Sequence, residues 1–246
     1  MDKIKVAAVS YLNTKPLLYG IHHSPALLEM IELTETFPSE IARQLMSDEI
    51  DIGLVPVAVL PEMKAYYIIS DYCIGATGKV ASVCLFSDCP MDEIKKIYLD
   101  YQSRTSVALA KILLKSYWKI SPELVEATPG YINDISGTTA GIVIGDRALE
   151  QRKKSTYIYD LAEGWIEMTG LPFVFAAWVA NKKLPEDFIK LFNEANKKGI
   201  ENLPAVIAQN SFPQYDLYSY YMQNISYNLD EEKKKGLELF LEMLEK

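Results

Sequence analysis

The sequence predicts a two-lobed α/β protein with a central cleft and C-terminal helices. Three observations carry that reading. Short apolar runs alternate with helical patterns through the first sixty or so residues. Two long apolar segments, residues 80–87 and 173–179, bracket a self-contained α/β unit with nothing linker-like on either side. After Leu184-Pro185 the pattern is helical almost to the end.

Taken in order, residues 4–9 read as the first strand. The polar turn Ser10-Tyr11-Leu12-Asn13-Thr14-Lys15-Pro16 follows and opens a helix over 17–21. Asn13 or Thr14 is the expected N-cap, Pro16 suits the first helical turn, and Gly20 is the expected stop. Residues 30–33 are a second strand, and Phe37-Pro38-Ser39-Glu40 starts a helix running through Met46. Residues 50–56 are a third strand, with one helical turn after Pro56. This β-α-β-α-β alternation predicts a parallel sheet with right-handed crossovers.

Residues 66–69 and 74–86 read as further strands, the second running onto the first crossing. The second unit holds a strand at 97–99 and a helix over 107–117 capped by Ser103-Arg104-Thr105-Ser106. A buried-type strand spans 141–145, with a helix from Asp146 to Gln151. A strand at 157–161, a helix at 162–169 and the strand at 173–179 complete it. Phe188, Leu191, Phe192 and Ala195 share a helical face, as do Leu237, Phe240, Leu241 and Leu244. Tyr215, Tyr218, Tyr220, Tyr221 and Tyr227 crowd the segment between and read as core aromatics. Lys233-Lys234-Lys235, following Glu231-Glu232, reads as a solvated face with local ion pairs. The expected division is lobe I at 1–83 and 178–246 and lobe II at 84–177. Two extended crossings then form the hinge of the cleft.

Of the 246 residues, 49% are hydrophobic and 24% charged, ordinary for a globular chain with ample core material. A net charge of −8 without a basic stripe disfavours a nucleic-acid partner. The N-terminus lacks the apolar stretch of a secretory signal, and no run is long enough to span a bilayer. The cysteines Cys73, Cys84 and Cys89 are odd in number and have no C-x-x-C spacing, so they read as reduced, buried thiols. These points lead to the expectation of a cytoplasmic protein without a membrane partner. Only His22 and His23 are present, adjacent, and no Cys or carboxylate spacing completes a metal set. Phosphate-loop, dinucleotide and nucleophile-elbow motifs are missing. No metal and no cofactor is expected.

What remains is a set of polar turns at predicted strand ends, where α/β folds tend to hold ligands. At Ser103-Arg104-Thr105-Ser106, backbone N–H groups at a helix start, the Thr105 and Ser106 hydroxyls and the Arg104 charge suit a carboxylate. The plainer reading is an N-cap with Arg104 ion-paired at the surface. Gly145-Asp146 is either a helix cap or the lip of a site, and Ser82 faces either core or cleft.

Ser-Tyr-Leu-Asn-Thr-x-Pro (10–16), Asp-Ile-Gly-Leu-Val-Pro-Val (51–57) and Ser-Arg-Thr-Ser-Val-Ala-Leu (103–109) together resemble the chorismate dehydratase family of the futalosine route to menaquinone. Ile-Gly-Asp-x-Ala-Leu (144–149) and the segment from Trp165 through Thr169-Gly170-Leu171-Pro172-Phe173-Val174-Phe175-Ala176 match too. The resemblance covers about residues 4–180. It implies a type II periplasmic-binding-protein-like fold and cofactor-free loss of water from chorismate, a small anionic substrate, to give 3-[(1-carboxyvinyl)oxy]benzoate. It also implies that Asn13 is catalytic. Ser82, Ser103, Thr105 and Ser106 would bind the substrate carboxylates, with Arg104 helping directly or bracing the turn. Ser10, Tyr11, Pro56, Gly145 and Asp146 would complete the substrate site. Two alternatives are weaker. Dihydroxynaphthoate synthase of the same pathway relies on a second-lobe histidine, and no histidine follows His23 here. A non-catalytic small-carboxylate-binding protein is the other.

Overall fold

Two mixed sheets organise the chain, and the computed structural model describes residues 3–245. The first begins with β1 (Ile4–Ala8), a 3-10 turn (Leu12–Thr14) and α1 (Lys15–His22). Then come α2 (Pro25–Met30), β2 (Ile31–Glu35), α3 (Pro38–Met46) and β3 (Ile52–Pro56), followed by a 3-10 turn (Val57–Glu62) and β4 (Tyr67–Ala76). Strand β1 pairs in parallel with β2 and β3, as the alternation predicts. Each α-helix here carries proline in its first turn, where the missing N–H costs nothing.

The second sheet is made of β5 (Val83–Ser87), β6 (Lys96–Leu99), β7 (Glu123–Glu126), β8 (Thr139–Ile144) and β9 (Tyr157–Asp160). Its helices are α4 (Arg104–Leu113), continued by a π turn to Trp118, then α5 (Asp146–Gln151) and α6 (Leu161–Thr169). The strand order is β7-β6-β8-β5-β9.

The chain then returns. Strand β10 (Phe173–Ala180) inserts between β3 and β4, antiparallel to both, giving the order β11-β4-β10-β3-β1-β2. Helices α7 (Glu186–Glu201), α8 (Leu203–Gln209) and the single turn α9 (Leu217–Ser219) precede the edge strand β11 (Ser226–Asn228) and α10 (Glu231–Leu244). No helix among the described residues is long and apolar enough to cross a membrane.

The expected lobe boundaries at 83/84 and 177/178 fall inside β5 and β10. Each strand pairs within one sheet, β5 with β8 and β9 and β10 with β3 and β4, so we propose that the lobes divide at 77–82 and 170–172. Four local expectations are corrected. The strand expected over 74–86 is broken, because Ala81 adopts φ +62° and the backbone of 80–82 turns. Gly20 does not end α1. It sits buried inside the helix, where α1 crosses α7 at Gly199. Thr14 precedes α1 but makes no side-chain cap bond, since its φ of −91° and ψ of −20° are already helical. Finally, Lys233 is not on a solvated face. It is fully buried, donates to the Asn228 carbonyl at 2.6 Å, and lies over Gly75. Lys234 and Lys235 are exposed and paired with Glu231 and Glu232 as expected.

Candidate active site

The turn after β1 faces the second sheet across a narrow cleft. A cavity of about 70 Å³ lies between them. One wall comes from Val9, Tyr11, Asn13, Thr14 and Pro56, the other from Ser103, Ser106, Ile144 and Gly145. The crossing supplies Val80, Ser82 and Val83 at its floor. Carboxyl ends of β1, β3 and β8 therefore converge, as expected for a ligand site in such folds. None of the residues lining it is charged.

Each wall is built by local rules. Ser103 is the N-cap of α4: its Oγ accepts from the Ser106 N–H at 3.1 Å and donates to the Ser106 Oγ at 2.8 Å. The hydroxyls at positions 103 and 106 thus stand together at the positive end of a ten-residue helix. Gly145 has φ +64° and ψ −147°, a conformation open to glycine. Its N–H donates to the Ser82 carbonyl at 2.8 Å, and a Cβ there would meet the Tyr11 ring. Ser82 is buried at the crossing, and its Oγ accepts from the Tyr220 hydroxyl at 2.8 Å. The crossing itself is held by Asp160, which accepts from the N–H groups of Val80 and Ala81 and caps α6 through Ala162 and Glu163.

Tyr11 spans the cleft. Its hydroxyl donates to Gln102 Oε1 at 2.9 Å, and burial pushes the phenol up to about 12, so it stays a donor at neutral pH. Gln102 is itself clamped. Arg147 donates to the same oxygen at 2.8 Å and to the buried Asp100 at 2.8 Å, while Tyr131 donates to Asp100 from behind. Asp146 accepts from the Leu12 N–H at 3.2 Å across the same gap, and burial raises its carboxyl above the ordinary value.

Of the residues the sequence nominated, Tyr11, Asn13, Pro56, Ser82, Ser103, Ser106 and Gly145 line the cavity. Four do not. Ser10 accepts from Lys15 Nζ at 2.7 Å on the exposed side of the turn. Arg104 forms an exposed bidentate ion pair with Glu62, the plainer of the two sequence readings. Thr105 is buried with its Oγ1 accepting from the Ala58 N–H at 3.1 Å, and Asp146 is spent on Leu12. All but Ser10 bridge the two sheets' lobes rather than face the cavity. Sequence reasoning missed Gln102, Thr14 and Phe175 as lining residues. Gln102 stands immediately before the Ser103 cap, and that adjacency was the available signal. Tyr220 and Tyr227, core aromatics by sequence, are buried, yet their hydroxyls reach the site at Ser82 and at the Asn13 carbonyl.

Comparison with known proteins supplies three further findings. The family model described as menaquinone biosynthesis matches residues 4–246. Two curated relatives bear the name chorismate dehydratase. The one from Thermus thermophilus is 28% identical, with 95% of this chain and 92% of the relative covered. The one from Campylobacter jejuni is 27% identical, covering 92% and 91%. Among solved structures, the Candida albicans CA3427 gene product, described as exhibiting the generic periplasmic binding protein fold, matches with a TM-score of 0.65 at 12% identity. That match covers 98% of this chain and 90% of the other and speaks to fold alone. The fold is thus the periplasmic-binding-protein-like one that the motifs implied.

Proposed function

Because the chain belongs to the menaquinone biosynthesis family, we propose that it is a chorismate dehydratase, a carbon–oxygen lyase that eliminates water from chorismate. The product would be 3-[(1-carboxyvinyl)oxy]benzoate. The observation that carries this reading is one uncharged cavity holding Asn13 together with the Ser103–Ser106 hydroxyl pair at the start of α4. The names of the two curated relatives support it.

The chemistry fits such a cavity. The ring carbon bearing the ether loses a proton, its neighbour loses hydroxide, and the ring becomes aromatic. Aromatisation makes the elimination favourable, so the protein's task is to orient and polarise. The helix start and the hydroxyls of Ser103, Ser106 and Ser82 would bind the carboxylates without a cation. The Asn13 amide would donate to the departing hydroxyl, and the proton would pass to a substrate carboxylate or a water. Apolar side chains of Val9, Leu54, Ile74 and Phe175 would face the ring.

Incubation with chorismate tests this directly, with loss of ring-diene absorbance and appearance of the aromatic acid by mass spectrometry. Asn13→Ala is expected to lower kcat by about a hundredfold or more, the cost of removing one preorganised donor. Near-full turnover by that variant would remove Asn13 from the mechanism. Tight chorismate binding without product would instead favour a non-catalytic carboxylate-binding protein.

A further inference from the structure

Tyr11 and Gln102 line the cavity from opposite sides of the cleft and meet across it, the Tyr11 hydroxyl 2.9 Å from Gln102 Oε1. A hydroxyl can give or accept a hydrogen bond, and an amide can be turned either way, so such a contact has no direction of its own. Here a third group supplies one. Arg147 Nη2 lies 2.8 Å from the same Gln102 oxygen. A guanidinium has only hydrogens to give, so the end of the amide that faces it is the oxygen. That oxygen has nothing to donate, and the Tyr11 proton therefore runs toward it. Burial pushes the Tyr11 phenol up to about 12, which keeps that proton in place at neutral pH.

Arg147 is itself held. Its Nη2 also donates to both carboxylate oxygens of Asp100, at 3.1 and 2.8 Å, and its guanidinium carbon stands 5.5 Å from the centre of the Tyr101 ring. Asp100 is buried and receives the Gln102 main-chain N–H at 2.8 Å as well, so the backbone and side chain of residue 102 share one anchor. The other end of the amide, Nε2, turns to the Tyr101 hydroxyl at 3.3 Å.

With its single hydrogen spent on Gln102, the Tyr11 oxygen can meet a ligand only through its lone pairs. We propose that Tyr11 is a specificity-determining residue that accepts a hydrogen bond from a hydroxyl of the substrate, with Gln102 and Arg147 as the positioning residues that fix this direction. This rests on the chorismate reading of the cavity. Chorismate has one ring hydroxyl, and it is the group lost in the reaction. That hydroxyl can receive from Asn13 through its oxygen and give to Tyr11 through its hydrogen. The product keeps both carboxylates but has no hydroxyl to offer, so the contact favours substrate over product.

The measurement is a ratio of two affinities, KM for chorismate and the inhibition constant of 3-[(1-carboxyvinyl)oxy]benzoate. Both acids carry the same carboxylates, so a change in lobe closure or local charge moves both constants together and cancels in the ratio. Tyr11→Phe is expected to raise KM about tenfold while the product constant stays within about twofold. Gln102→Glu keeps an oxygen that can only accept, from Arg147 and Tyr11 alike, and should keep the parent ratio. Gln102→Leu frees the Tyr11 proton, and Arg147→Met frees the amide to turn. Either change lets Tyr11 give to an oxygen of either acid and should narrow the ratio by about threefold or more. An unchanged ratio in Tyr11→Phe, or a Gln102→Glu ratio like that of Gln102→Leu, overturns the proposal even with full turnover of chorismate. If chorismate is bound but not converted, calorimetric dissociation constants replace the kinetic ones. A ratio that still responds to Tyr11→Phe then sustains the acceptor role and defeats the dehydratase reading. A protein that binds neither acid overturns both. Should Gln102→Leu or Arg147→Met not fold, Tyr11→Phe and Gln102→Glu decide alone.

Discussion

Asp146 illustrates how single side chains here trade solvation for position. Burial raises its carboxyl above the ordinary 3.8, opposed by the Leu12 N–H and by Lys15. The folded protein therefore holds this proton at pH values where the unfolded chain has released it. The contribution to stability is greatest below the ordinary value and declines as pH rises through the folded one. Asp146→Asn keeps an oxygen for the Leu12 N–H and removes the charge. Its stability relative to the parent should thus grow with pH across that window and then level off, as read by urea denaturation from acid to neutral pH. A flat difference would show that Asp146 is not desolvated. Lys233 makes the complementary point. Three consecutive lysines look alike in the sequence, but only the first falls four residues before Leu237 and seven before Phe240, on the apolar face. Its burial was legible from that spacing. The carbonyl that receives it, on Asn228, was not.

At the level of elements, what the sequence makes readable is periodicity, and what it hides is partnership. The three parallel strands, the proline-started helices and the Asp146–Gln151 helix follow from local pattern. Gly20 reads locally as a stop signal. It is instead half of a close crossing, because a Cβ there would overlap the Ala195 carbonyl oxygen, and one at Gly199 the Pro16 carbonyl oxygen. No local signal shows that two glycines 179 residues apart face each other. Gly20→Ala, a stabilising change in an isolated helix, is expected to destabilise this protein by about 3 kcal/mol, since α1 and α7 must separate. Thermal denaturation checks the sign as well as the size. The break between β4 and β5 has the same character. Residues 76–83 look like continuous strand, and the turn exists because Asp160, eighty residues away, takes the N–H groups of Val80 and Ala81. Asp160→Ala leaves those groups and the α6 cap without an acceptor, a loss of about 2–4 kcal/mol. Because the same turn presents Ser82, KM should rise with it. Unchanged KM in the folded variant would separate the turn from the site.

On the scale of the whole molecule, the two lobes are drawn together. Tyr11 with Gln102, Leu12 with Asp146, Ala58 with Thr105 and Glu62 with Arg104 all bridge the cleft. A cavity of about 70 Å³ is well below the roughly 300–1,000 Å³ of pockets that hold small molecules, so substrate entry calls for the lobes to part. Arg104 bridges the cleft to Glu62 and does not line the cavity. Its pair with Glu62 is exposed, and such pairs are worth about 0–1 kcal/mol. Arg104→Ala should change KM less than about fivefold, whereas loss of a direct charge-assisted bond to a carboxylate would cost tenfold or more. Steady-state kinetics decide between the two. The candidate site was legible where hydroxyls announce a helix start, at 103 and 106. It was obscure where residues of unremarkable type, Gln102 and Tyr220, are brought in by the far lobe or the C-terminal segment.

The position of β10 also governs the order of assembly. It is the strand that joins β3 to β4, yet it lies beyond the whole second sheet in the chain. A growing polypeptide can complete the second sheet once Asp160 has emerged, because β5 to β9 need nothing later. The first sheet, begun at residue 4, stays split until residues 173–180 arrive, and closing it incurs the entropy of a very long loop. Nascent chains halted between those points should therefore protect β5–β9 amides from exchange while β4 and the β10-facing edge of β3 remain open. The sheet begun first is the sheet completed last.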